Sequence, residues 1–199
     1  MAGRRAGHDL SLLDALAELP ETAFDGTFWR VVHGARPPLD GSKGAGRWNV
    51  RESEVLYCAL ERDGALSEIY FHVNRQQSVF PSRLRSTVYR MRGRFDKVID
   101  LSDMALLERL GVDPARYREI VYRDTQRIGE AVGFLGFGAM RVPNARHPSD
   151  NLVVFPANCD LDAIERLEAD PVDWADWRRK RGGARMDIES GEGIVFEVR

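Results

Sequence analysis

The sequence predicts an α+β fold, and two observations carry that prediction. Aromatic and β-branched runs of strand length outnumber what a regular βαβ alternation would supply, and no GxGxxG turn opens a strand–helix unit. The 199 residues, 43% of them hydrophobic, suffice for one domain with its own core and small additions. No repeat or low-complexity linker divides the chain.

Taken in order, Leu10, Leu12, Leu13, Leu16 and Leu19 predict a short amphipathic helix that ends before Pro20. Thr27–His33 is aromatic and β-branched and predicts a strand; a loop rich in glycine and proline follows from Gly34 to Gly46. Glu54–Ala59 is a second apolar strand. Gly64–Gln77 suits a helix, with Leu66, Ile69, Tyr70 and Val73 at helical spacing. Ser86–Arg92 and Lys97–Leu101 read as two further strands. Helices are expected over Ser102–Leu110 and over Pro114–Tyr122, the second with Asp113 as N-cap and proline at its first position. Asp124–Phe137 is helical in pattern and ends near Gly136 or Gly138. Ala139–Val142 and Asn151–Phe155 are short strands around a turn. Asp160 is placed to cap a helix over Leu161–Leu167, and Ile194–Val198 reads as a final strand. Trp174 and Trp177 mark a polar tail, where a packed helix is favoured over a partner contact.

Composition narrows the functional class. The net charge of −2 argues against duplex DNA or RNA as the default partner. The basic residues are 26 Arg and 3 Lys, a bias that reports base composition of the gene more than function. Cys58 and Cys159 sit in apolar runs, lack metal-site spacing and are expected to be buried thiols. No signal-peptide core and no run of about 18 apolar residues is present, so a soluble, cytoplasmic protein is expected. His8, His33, His72 and His147 are scattered, and HExxH, GxSxG and P-loop motifs are missing; no metal is expected.

The segment that points to chemistry is Gly41-Ser-Lys-Gly-Ala-Gly-Arg-Trp-Asn49. Its glycines let backbone approach a ligand, Lys43 and Arg47 can meet a pyrophosphate, and Trp48 offers a flat face to a base or nicotinamide ring. Arg30 lies within an apolar strand, where a charge needs a partner. Tyr57 lies in the second strand, and Glu68 sits among apolar residues on the following helix. Just before a later strand, a loop can present Asn144, Arg146, Ser149 and Asn151 to a cleft.

Together these pieces resemble the RES domain, the toxin family of RES–Xre toxin–antitoxin systems, named for an arginine, a glutamate and a serine. The resemblance runs from about residue 27 to 158 of what is expected to be a single domain. Residues 1–20 form an N-terminal helix and 160–199 an extension. It rests on Phe28-Trp-Arg30, Gly44-Ala-Gly-Arg-Trp-Asn49 in place of a GGRWN-like loop, Tyr57-Cys-Ala59, Glu68, and a proline turn leading to Asn151-Leu-Val. The family serine falls at Asn144, so either Asn144 takes over its hydrogen bonding or Ser149 supplies the hydroxyl.

The resemblance implies a split, mostly antiparallel sheet with flanking helices around a cleft, as in ADP-ribosyltransferase toxins. It implies NAD as substrate, cleaved at the nicotinamide–ribose bond, and an Xre-like antitoxin that covers the cleft. Carried onto this chain, Glu68, Arg30 and Tyr57 become catalytic candidates. Arg47, Lys43, Trp48, Asn49, Asn144 and Ser149 become NAD-binding candidates. Arg30 and Arg47, helped by Lys43, would hold the pyrophosphate; Tyr57 and Trp48 would flank the nicotinamide and its ribose. The acceptor of ADP-ribose is left open between water or phosphate and a protein side chain. A more distant alternative is an RNA- or protein-binding module built on Arg83, Arg85, Arg90, Arg92 and Arg94; a solvated strand face explains those residues better.

Overall fold

The computed structural model describes residues 9–42, 44–76 and 84–180. Two long strands, β1 (Glu21–His33) and β3 (Ser86–Asp100), pair antiparallel from Glu21 opposite Ile99 to His33 opposite Ser86. β2 (Leu56–Ala59) joins β1 where Trp29 meets Ala59, and on its other edge pairs β5 (Asp150–Val154). β5 pairs β4 (Ala139–Pro143), and β4 runs parallel to β3 over Val98–Asp100. The strands β1-β2-β5-β4-β3 therefore close into a ring, with β6 (Glu165–Pro171) added outside it along Thr87–Arg92 of β3.

This closed ring corrects the expected split sheet, although the α+β class and the mostly antiparallel pairing hold. Closure depends on the length of β3. Lys97–Leu101 is not a separate strand but the continuation of Ser86–Arg92, so one strand reaches β1 along its whole length and β4 at its far end. A register shift between Thr22 and Phe24 bends β1. Gly93 leaves room where a Cβ would lie 3.2 Å from the Phe28 ring, so the interior can close at that point.

Strand alternation then sorts the side chains. Phe28, Leu56, Met91, Phe95, Leu152 and Val154 fill the ring. Outside it, α1 (Leu10–Ala17), α3 (Met104–Arg109) and α4 (Arg123–Phe134) bring Leu16, Leu107, Ile128 and Val132 onto Ile99, Met140 and Val153. On the other flank α2 (Arg62–Gln76) and α5 (Trp174–Lys180) bring Leu66, Trp174 and Trp177 onto Val31 and Val88. Each fully buried large apolar side chain here contributes about 1.5–3 kcal/mol.

Two helix expectations are corrected. Asp113 does cap the backbone N–H of Ala115, but only one 3-10 turn, Pro114–Arg116, follows. Asp160 accepts from Asp162 N–H in the same way, yet the chain turns into β6 rather than a helix. Glu165–Pro171 finds ladder partners on β3, and pairing outweighs the weak local preference. Ile194–Val198 and Arg83 lie outside the described residues. Arg90, Arg92 and Arg94 are paired with Glu168, Asp25 and Asp96, so the basic strand face is locally neutralised. Cys58 is buried as expected, whereas Cys159 is only half-buried; burial raises both thiols to about 11. Among the described residues no helix is long and apolar enough to cross a membrane.

Candidate active site

The site lies outside the ring, between the two helical flanks, and begins with Tyr57. Its neighbours Leu56 and Cys58 point into the ring, so Tyr57 points out. Its hydroxyl donates to Asn49 Oδ1 at 2.7 Å and accepts from Trp48 N–H at 2.9 Å. Asn49 is buried, and its amide nitrogen is shared among the carbonyls of Gly44, Val50 and Ser53. The glycine loop is thereby folded around one asparagine and clasped to β2. Gly46 is required in this clasp, because a Cβ there would lie 2.4 Å from the Tyr57 hydroxyl. Gln126 of α4 holds the same loop through the carbonyls of Gly46 at 2.8 Å and Asn49 at 3.2 Å.

The clasp orients two side chains in opposite ways. Trp48 is 1% exposed and packs in the core against Tyr117, so it presents no flat face to a cleft and the expected stacking role is corrected. Apolar burial of an indole outweighs exposure when the loop backbone is pinned this tightly. Arg47 turns the other way. It donates to the carbonyls of Tyr117 and Glu119, and its guanidinium lies 4.8 Å from the ring centres of both Tyr117 and Tyr122.

Opposite the loop, α2 carries Glu68, whose side chain is 24% exposed. Its Oε1 accepts from Ala145 N–H at 3.2 Å and from Asn151 Nδ2 at 3.4 Å. Its Oε2 lies 4.0 Å from His72 Nε2, one helical turn on. Ala145 belongs to the turn between β4 and β5, which Asn144 builds: Oδ1 accepts from Arg146 N–H at 2.7 Å, and Nδ2 donates to Gly64 O at 3.3 Å and Asn151 Oδ1 at 2.8 Å. Arg146, 7% exposed, stacks 3.4 Å from the centre of the Phe71 ring and donates to Arg118 O at 2.5 Å; its Nε has no hydrogen-bond partner among the described residues. Ser149 Oγ pairs with His147 Nδ1 at 2.9 Å. It also rests on the start of α2, where a Cβ on Gly64 would come within 2.6 Å.

Arg47, Glu68, Arg146 and Arg75 all act electrostatically on both Tyr122 and His72, which places these groups in one neighbourhood. Burial pushes the Tyr57, Tyr117 and Tyr122 hydroxyls up, so they remain protonated donors. Burial, then the nearby arginines, holds His72 below the ordinary histidine range against the pull of Glu68. Burial lowers Arg146 as well. Arg90, Arg116, Arg127 and Arg141 each have a carboxylate within 4.0 Å, whereas Arg30, Arg47 and Arg146 have none among the described residues.

Of the residues expected to form the site, Tyr57, Glu68, Arg47, Asn49, Asn144 and Ser149 come together around the loop, α2 and the β4–β5 turn. Arg30 does not join them as expected. It shares the inward face of β1 with Phe28 and is 6% exposed; it donates to Tyr57 O at 3.2 Å and Asp40 O at 2.7 Å. Its electrostatic neighbours are Cys58, Arg36 and Asp40, and burial lowers its pKa. Lys43 lies outside the described residues. Phe71, His72, Tyr117, Tyr122 and Gln126 were not singled out from sequence. The first two carried a signal, since they follow Glu68 at i+3 and i+4 on one helix face. The tyrosines had none, being brought to Arg47 from 70 residues away or more.

Comparison with known proteins places the chain in a family. The model of the RES domain matches residues 27–178. A protein of Mycobacterium tuberculosis named Probable NAD(+) phosphorylase Rv3189 is 30% identical over 151 residues, covering 73% of this chain and 72% of its own length. Among solved structures, the crystal structure of the M. tuberculosis MbcT–MbcA toxin–antitoxin complex contains a chain that superposes with a TM-score of 0.76. It covers 87% of this chain and 98% of that one at 18% identity, a likeness of fold.

Proposed function

The chain belongs to the RES domain family, and from that premise we propose that it cleaves NAD at the nicotinamide–ribose bond as the toxin of a toxin–antitoxin pair. The observation that carries the proposal is a single carboxylate, Glu68, set beside two arginines that lack a carboxylate partner among the described residues and lean on carbonyls and aromatic rings. Buried or half-buried cations in that state suit an anion that arrives from outside, and a pyrophosphate is one.

Breaking the nicotinamide bond leaves positive charge on the ribose. Glu68, with Oε1 held by two donors, keeps Oε2 to stabilise that charge. Arg47 and Arg146 take the pyrophosphate, and the half-exposed rings of Tyr57, Phe71 and Tyr122 offer faces to nicotinamide or adenine. Nicotinamide leaves as a neutral amine, so a strong general acid is not required. Arg30 acts from behind the sheet, fixing the carbonyl of Tyr57 and the loop carbonyl of Asp40. The acceptor of ADP-ribose is phosphate or water, and the name of the Mycobacterium tuberculosis relative supports phosphate. The fold likeness to a toxin crystallised with its antitoxin supports a protein partner, Xre-like, that covers the cleft. The NAD of the cytoplasm is the pool it would act on.

The test is nicotinamide release from NAD by the purified chain, with and without phosphate. Glu68→Gln is expected to lose turnover by about a hundredfold or more while still binding NAD in calorimetry. Unchanged kinetics in that variant would remove Glu68 from the reaction.

A further inference from the structure

We infer that Asn144 and Asn151 form a positioning relay for Glu68, and that Asn144 fills the place of the family serine by this route rather than by touching ligand. The inference rests on the reading of Glu68 as the working carboxylate.

Three orientation choices follow one another. Asn144 is fixed by the backbone: Oδ1 accepts from Arg146 N–H, and one Nδ2 hydrogen reaches Gly64 O. Its second Nδ2 hydrogen goes to Asn151 Oδ1 at 2.8 Å. With its oxygen taken, Asn151 can turn only its Nδ2 toward Glu68, where it meets Oε1. An amide turned the other way would set a carbonyl oxygen against the carboxylate and repel it. The turn that Asn144 caps also aims Ala145 N–H at the same Oε1. Both amide hydrogens of Asn144 are spent inside the protein, and Asn144 and Asn151 are buried at 8% and 9% exposure. Ser149, the other candidate for the serine role, directs its hydroxyl to His147 instead. A serine at position 144 could make the deciding contact as well, by donating its hydroxyl hydrogen to Asn151 Oδ1.

The experiment is steady-state nicotinamide release by the wild-type chain, Asn144→Ala, Asn144→Ser, Asn151→Leu and the Asn144→Ala/Asn151→Leu double variant, with thermal melts as a check on folding. Asn144→Ala is expected to lose roughly tenfold in kcat with KM for NAD within about twofold, since it frees Asn151 to turn its amide and loosens the turn that aims Ala145 N–H, the two donors to an ionised group. Asn144→Ser is expected to recover most of that loss. The double variant should lose less than the product of the two single losses, because both residues act on one carboxylate and share the Asn151 contact. A rise in KM with kcat preserved in Asn144→Ala overturns the relay and makes Asn144 a ligand contact. Losses that multiply in the double variant overturn it too. If Asn151→Leu does not fold, the alanine–serine pair at position 144 decides alone. No release by the wild-type chain defeats the proposed activity itself, a result distinct from an active wild type with indifferent variants.

Discussion

The Tyr57 hydroxyl is a joint, giving its proton to Asn49 and accepting one from the Trp48 backbone, and burial keeps it protonated. Tyr57→Phe leaves the ring in place but strands a buried N–H and a buried amide oxygen. It is expected to lower stability by about 1–3 kcal/mol in urea unfolding, with a looser glycine loop and a raised KM for NAD. Tyr57 was legible as a residue of interest only through the resemblance of Tyr57-Cys-Ala59 to the family's strand; the apolar run alone reads as core. Its task was not legible, because the groups it joins lie in a loop without period. Trp48 is the converse case. A tryptophan beside an arginine in a glycine loop suggests stacking on a ligand, and only the packing of α4 shows that the indole belongs to the core.

At the scale of elements, α4 meets the glycine loop at Gly129, where a Cβ would lie 1.9 Å from the Trp48 carbonyl oxygen. Alanine is the better helix former by about 1 kcal/mol. Gly129→Ala is nonetheless expected to destabilise, because the obstacle is backbone and cannot swing aside; thermal unfolding should shift down by several degrees. Elements with a strong period were legible: the leucines of α1, and Leu66, Ile69, Tyr70 and Val73 of α2. The segment after Asp160 was not, since an acidic cap starts a turn as readily as a helix and the outcome was settled by the ladder that β3 offers. The break seen between Arg92 and Lys97 vanished for the same reason, with β1 pairing through it.

At the scale of the molecule, the ring and its C-terminal helix are joined through His33 at the end of β1. His33 Nδ1 pairs with Ser86 Oγ at 2.9 Å, and that oxygen also accepts from Trp174 Nε1 at 3.0 Å. In the neutral imidazole that carries its hydrogen on Nε2, the serine hydroxyl donates to Nδ1. Burial, and then Arg36, holds His33 below its ordinary pKa, and His72 is lowered too. The folded chain thus binds fewer protons than the unfolded chain in the histidine range, so stability is full above about pH 6.5 and falls as pH drops below it. The urea midpoint is expected to be lower at pH 5.5 than at 7.5, with a smaller drop in His33→Asn, which keeps an acceptor but cannot titrate. That the sheet closes on itself was beyond the sequence, because the parallel contact of β3 with β4 leaves no mark in either strand.

The distances along the chain between Glu68 and its holders have a consequence for synthesis. The two donors that fix its carboxylate come 77 and 83 residues later in the chain. A ribosome making this protein releases the carboxylate before the turn that steadies it, so the growing chain carries Glu68 without the two donors that fix it. On the proposed reading of Glu68, the site is complete only when β5 has emerged and docked, and a partner already present would meet the cleft as it forms.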